Sequence, residues 1–147
     1  MKFLIIILPL LIGFLIGYLT KPDNWYEKLK KPELMPKGYI FSIAWSILYL
    51  LIGISYYLAL KDKPLIYWII PIIHLILNFI YTPIIFRYHK LLESAFIVLL
   101  TFITLIIVMI LFYNYKKYIS VYLLIPYLIW LIFANYLSWS VYALNKN

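Results

Sequence analysis

The residues that could do chemistry lie where the chain has no charge. His74 and Asn78 are four residues apart, and Tyr81 follows three residues later. On a helix that spacing sets all three on one stripe. An imidazole and an amide are costly in an apolar medium unless they face a cavity or a partner. Two readings stand open: a polar patch that orients a ligand, or an interhelical hydrogen bond that holds a bundle together. One lone histidine in such a stretch is not a haem motif. Trp45 and Tyr49 are also four apart, and Trp130, Ala134 and Leu137 share another face, with Trp139 nearby. Tryptophan in the middle of an apolar run is unusual, because it prefers a membrane interface. These rings read either as a flat aromatic wall for a planar ligand or as bulky packing.

Other chemistries are excluded by residue type. The acids are Asp23, Glu27, Glu33, Asp62 and Glu93, and no two are placed on one apolar run for acid–base work. The chain has no cysteine, so disulfides, thiolate metal sites and a cysteine nucleophile are absent. No phosphate-binding loop and no metal-ligand cluster is present. No catalytic residue and no metal ligand is assigned, and no cofactor is required.

The elements that must position these residues follow from composition. The 147 residues are 67% hydrophobic and 12% charged, with a mean hydropathy of +0.99. A soluble domain carries about 25% charge, so the medium around most of this chain is lipid. Charge-free runs outline five spans, at about 3–20, 38–60, 64–86, 94–115 and 118–145. Each reads as a transmembrane helix, because the runs are apolar on every side rather than alternating as a barrel requires. The expected fold is therefore all-α: a polytopic membrane protein, one bundle of five transmembrane helices. The first span lacks a small-residue cleavage site and is expected to stay in place. Gly13 and Gly17 in it form a GxxxG pair, read as close packing within the chain. Glu93 near the start of the fourth span suits a helix N-terminus.

The connections are short except for one. The segment 21–37 carries Trp25, Pro32 and Pro36 and reads as a lid over one mouth of the bundle. The net charge is +8, which in this setting points to lipid headgroups rather than nucleic acid. Eight lysines and arginines lie on the side of the lid and the C-terminus against five on the other. The positive-inside bias then places the lid and the C-terminus in the cytoplasm, in a membrane the sequence does not specify.

The run Trp25-Tyr26-x-x-Leu29-x-Lys31-Pro32-x-x-x-Pro36, with Trp45-x-x-Leu48-Tyr49-x-x-x-Gly53, resembles the signature of the translocator protein or tryptophan-rich sensory protein family (TspO/MBR, peripheral benzodiazepine receptor). Leu77-Asn78 before Pro83-x-x-Phe86 resembles its third helix, and Pro126-Tyr127-Leu128-x-Trp130-x-x-Phe133-Ala134 its fifth. The resemblance implies a five-helix bundle whose cavity binds porphyrins such as protoporphyrin IX, haem-related tetrapyrroles and sterols. Light-dependent porphyrin breakdown is the alternative activity, and a structural protein without a ligand is a third reading. Carried over, the pocket comprises Trp45, Tyr49, Asn78, Trp130, Ala134 and Leu137, with His74 and Tyr81 on the same stripe as Asn78. Leu137, Tyr142 and Lys146 match the loose sterol motif proposed for animal members. The chain departs from the family pattern at Leu34, Lys37, Phe79, Tyr81 and Ser138, so three tryptophans are missing, which weakens any tryptophan photochemistry. Ile69 and Ile73 replace small residues of a dimer face, leaving monomer and homodimer both open.

Overall fold

The computed structural model describes residues 3–146. Its helices are α1 (Leu4–Leu19), α2 (Asn24–Glu27), α3 (Gly38–Leu60), α4 (Ile69–Thr82), α5 (Leu91–Asn114) and α6 (Tyr118–Asn145). A 3-10 turn, Leu65–Trp68, precedes α4, and a π turn, Pro83–Arg87, follows it. Together they make a 23-residue apolar rod, Leu65–Arg87. No strand occurs among the described residues. This rod, α3, α5 and α6 are long and apolar enough to cross a membrane, whereas α1 has 16 residues. At about 1.5 Å per residue α1 reaches roughly 24 Å, against about 30 Å of hydrocarbon. Outward-facing Leu11, Ile43, Ile76, Ile110 and Ile129 are each more than half exposed. Apolar surface on that scale is stable in lipid and not in water, so the chain is an all-helical, polytopic integral membrane protein.

Local chemistry sets the helix ends. Beyond residue 31, Pro32, Pro36 and the extended backbone at Lys37 hold the chain out of helix until Gly38. The loop itself contains α2, a single turn capped by the Asp23 carboxylate, which accepts from the Tyr26 N–H at 3.2 Å. The sequence reading had no helix there. The fourth span starts at Leu91, three residues before the expected 94, so Glu93 lies in the first turn of α5. The α5–α6 hairpin closes with Lys117 N–H donating to Phe112 O and Lys116 N–H to Tyr113 O, both at 2.9 Å. That pattern requires a left-handed residue, and Lys116 takes it at φ 61 where glycine would be unstrained. Pro9 and Pro126 lie inside α1 and α6, each removing one backbone donor that packing must replace.

The long helices form a closed ring in the order α1, α3, α6, α5, α4, and α4 returns to α1. Leu48, Ile52, Tyr56, Leu105, Phe112, Leu124 and Leu131 fill its centre. Two close approaches fix the ring. A Cβ on Gly53 would collide with the Ile6 backbone carbonyl, so only glycine admits α1 against α3 there. At the α3–α6 seam Ser55 Oγ donates to Ser120 O at 2.7 Å and Ser120 Oγ donates to Ser55 O at 2.8 Å. Gly13 of the GxxxG pair lies against the Tyr49 ring, while a Cβ on Gly17 would meet nothing within 4 Å. The motif is half used, and used within the chain.

Gly53→Ala is expected to destabilise the bundle by about 1–3 kcal/mol, the usual range for overpacking against backbone that cannot move aside. Gly17→Ala should be neutral or stabilising, by up to about 1 kcal/mol of helix propensity. Reversible unfolding in mixed detergent micelles measures both; equal effects would show that the α1–α3 contact does not limit stability.

Candidate functional site

Inside the ring, five side chains from four helices join in one hydrogen-bonded series. Tyr49 Oη of α3 donates to Asn78 Oδ1 of α4 at 2.8 Å. Asn78 Nδ2 donates to Tyr127 Oη of α6 in a short bond. Tyr127 Oη lies 2.9 Å from His74 Nε2, and His74 Nδ1 lies 2.8 Å from Thr104 Oγ1 of α5. His74 and Tyr127 have no exposed surface. The series has a direction. Thr104 Oγ1 spends its one proton on the carbonyls of Leu100 and Thr101, at 2.9 and 3.0 Å. On that assignment it accepts from His74 Nδ1–H. A neutral imidazole then offers a lone pair at Nε2, and Tyr127 O–H donates to it. Tyr127 is left to accept from Asn78, whose carbonyl accepts from Tyr49. Every hydroxyl proton is used once.

An aromatic cluster lies against the Tyr49 end. Trp45 stacks on Tyr49, with centroids 5.2 Å apart. It meets Tyr127 edge-on at 6.0 Å and Trp130 edge-on at 6.3 Å. Phe79 also packs on Tyr49, with centroids 5.5 Å apart. Trp45 and Trp130 thus touch rather than face each other across a slot, and a flat molecule enters between them only if they part. The buried Trp130 Nε1–H has no hydrogen-bond partner among the described residues, so the cluster holds one unused donor. Tyr81 and Ser138, both departures from the family pattern, bond to each other, Oη to Oγ at 2.7 Å. The pair makes one α4–α6 link.

The predicted residues fall into three groups. Trp45, Tyr49, His74, Asn78 and Trp130 come together in the relay and the cluster. Tyr81 joins α6 through Ser138. Ala134 packs on the core and Leu137 is buried one turn further along α6. The sterol motif does not form one face: Leu137 is buried in the bundle, whereas Lys146, nine residues on, is exposed and lies half a turn round. A groove of about 510 Å³ lies elsewhere, on the outer side of α5 and α6 between Leu99, Phe102, Ile132 and Trp139. Sequence reasoning missed Tyr127 and Thr104. Tyr127 stood in view, three residues before Trp130, but a tyrosine among 16 carries no signal of its own.

The long loop crosses one end of the bundle and is tied at both sides. Asn145 of α6 accepts from the Lys30 N–H at 3.0 Å and donates to the Lys30 carbonyl at 2.8 Å. Trp25 stacks on His89 at 4.1 Å, and His89 Nε2 pairs with Asp23 Oδ2 at 2.9 Å. His89 holds a left-handed backbone, φ 57, to reach both. Tyr26 meets Phe86 edge-on at 4.9 Å. Lys31 Nζ donates to the carbonyls of Tyr26, Glu27 and Leu29, closing the C-terminal end of α2. The Tyr26 N–H, and then His89, hold the Asp23 carboxyl below its usual range, while partial burial raises the Tyr26 phenol.

A model of the TspO/MBR family matches residues 5–144. Protein CrtK of Rhodobacter capsulatus is 32% identical over 137 residues, which cover 88% of this chain and 83% of that protein. The uncharacterized membrane protein YtaB of Bacillus subtilis is 36% identical, covering 88% and 86%. The tryptophan-rich protein TspO of Archaeoglobus fulgidus is 30% identical, covering 95% and 94%.

Asn145→Ala removes both bonds to Lys30 and should raise amide exchange across 28–31 at least severalfold, leaving the centres of α5 and α6 unchanged. Acid should act on the other side of the loop. A carboxylate held below its usual value stabilises at pH above about 4 and loses that effect as pH falls through its lowered value. Exchange at 23–27 is therefore expected to rise on acidification below about pH 4, and Asp23→Asn to abolish that dependence.

Proposed function

The chain belongs to the TspO/MBR family, and from that premise we propose that it binds flat tetrapyrroles, protoporphyrin IX and haem-related molecules first and sterols second, within the helix bundle. The observation that supports this most is the aromatic cluster of Trp45, Tyr49, Tyr127 and Trp130 against a satisfied polar relay, with an unused indole donor at Trp130. Stacking on aromatic rings suits a large planar apolar ligand. Propionates at its edge need cations near the membrane surface. Lys28, Lys30 and Lys37 of the loop are exposed and suit that role, whereas Lys31 is committed to the loop's own carbonyls. The loop acts as a lid: it is tied by a few contacts at the surface and opens without disturbing the buried core. Sensing, scavenging and translocation share this binding step.

The same reading makes α1 a fifth span. It packs along α3 through Gly13 and Gly53 and presents Leu8, Leu11 and Leu15 outward. With five spans the loop and the C-terminus share one side, in the cytoplasm by the positive-inside bias.

Titration of protein in lipid nanodiscs with protoporphyrin IX and with cholesterol tests the ligand class. Saturable tryptophan quenching and a shifted Soret band are expected with the porphyrin; loss of neither signal at ligand excess and no shift would refute binding. Trp45→Phe and Trp130→Phe should each weaken it by about 0.5–1.5 kcal/mol, the worth of one aromatic contact. Bleaching of bound porphyrin in light would identify breakdown instead. Because the chain has no cysteine, single-cysteine reporters read its topology cleanly. Glu33→Cys and Lys146→Cys should label from the cytoplasmic side, and Phe3→Cys, Asp62→Cys and Lys116→Cys from the opposite side. Labelling of Phe3→Cys from the same side as Glu33→Cys would exclude α1 as a fifth span.

A further inference from the structure

The direction of the relay has a chemical consequence at its open end. Its anchor is the α5 backbone, where Thr104 donates to the Leu100 and Thr101 carbonyls. From there each proton is committed in turn, through His74, Tyr127 and Asn78, to Tyr49. The opposite polarity would turn the Thr104 proton away from those carbonyls. It would also flip the Asn78 amide and leave Tyr49 O–H without an acceptor among the described residues. In a medium without water that is the costlier state.

We propose that His74 and Tyr127 are positioning residues that hold Tyr49 O–H turned inward onto Asn78, so that Tyr49 Oη meets a bound flat molecule as a hydrogen-bond acceptor. This rests on the reading that the aromatic cluster takes a ligand, and it adds a selection rule to it. The favoured ligand is a planar aromatic molecule with an N–H or O–H donor at the edge that reaches Tyr49. An isosteric molecule with an acceptor there is disfavoured, because meeting it requires reversing the four hydrogen bonds of the relay and turning the Thr104 proton away from its carbonyls. Neither His74 nor Tyr127 need touch the ligand's polar edge. Removing the imidazole frees the polarity: Tyr127 O–H then has only the Asn78 carbonyl to donate to, the amide flips, Asn78 Nδ2–H turns to Tyr49 Oη, and Tyr49 O–H is released toward the ligand.

The test uses the full chain in lipid nanodiscs and two flat probes of the same shape, carbazole with an edge N–H and dibenzofuran with an edge oxygen. Wild type is expected to bind carbazole more tightly by roughly two- to tenfold, the worth of one neutral hydrogen bond. His74→Leu should cancel or reverse that preference, and Tyr127→Phe, which keeps the ring packing, should cancel it. Nitrogen-15 spectra of ligand-free wild type should show His74 neutral with its proton on Nδ1. A proton on Nε2, or an unchanged preference in well-folded His74→Leu, overturns the positioning role. If both variants fail to fold, the wild-type histidine spectrum and the wild-type probe preference decide. Should protoporphyrin IX bind while carbazole and dibenzofuran bind equally, the ligand site stands and the selection rule falls. Should none of the three bind, the binding reading itself falls and this one with it.

Discussion

Within the hydrocarbon there is no water to complete a hydrogen bond, so each polar side chain must find its partner in the protein. That constraint organises this molecule. Its interior is joined less by apolar attraction, since lipid is as apolar as leucine, than by close packing and a few polar links. Ser55 and Ser120 bind α3 to α6 reciprocally. Tyr81 and Ser138 bind α4 to α6. The Tyr127-centred relay binds α3, α4, α5 and α6 at once. The glue of the bundle and the polar wall of its candidate site are the same atoms. His74 and Asn78 join helices, and under the proposed function the network that holds the helices also fixes which proton goes where.

The two ends of the protein differ in kind. Near the hairpins the core is filled by Ile52, Tyr56, Leu60, Phe112 and Leu124, all without exposed surface or nearly so. Toward the loop the interior is built from large rings in edge contact, with one indole donor unmatched. Over that end lies a segment tied by an asparagine, a stacked histidine and that histidine's exposed contact with Asp23. Exposed polar contacts of this kind contribute little. The gradient from dense core to loosely capped aromatic cluster suits the lid proposed for this end.

Much of this was legible from residues alone. Charge-free runs outlined the long helices because insertion penalises every ionisable group. The stripe of His74 and Asn78 was visible because four residues make nearly one helical turn. What could not be read were the partners, which come from other helices: Thr104, thirty residues on, and Tyr127, forty-nine residues beyond Asn78. Spacing along one helix carries no information about which face meets which neighbour. Trp45 and Trp130 stood out by type and position, yet their edge contact depends on the α3–α6 approach, where two serines that gave no signal bond reciprocally. α2 was invisible because one helical turn has no periodicity.

The ring order bears on how the protein is made. α3 pairs with α1, made before it, but its other ring neighbour is α6, the last helix synthesised. α4 reaches its main partner only with α5. As each segment leaves the ribosome and enters the bilayer, His74 and Asn78 arrive before Thr104 and well before Tyr127. For that interval an imidazole and an amide lie in or beside the membrane with their final partners still unmade. Closure of the ring and satisfaction of those groups then coincide in one late event, the arrival of α6. A chain truncated before α6 would keep most of its apolar length and lose the hub of its hydrogen bonding, which gives the cell's membrane quality control a simple mark of incompleteness: exposed polarity at mid-bilayer depth.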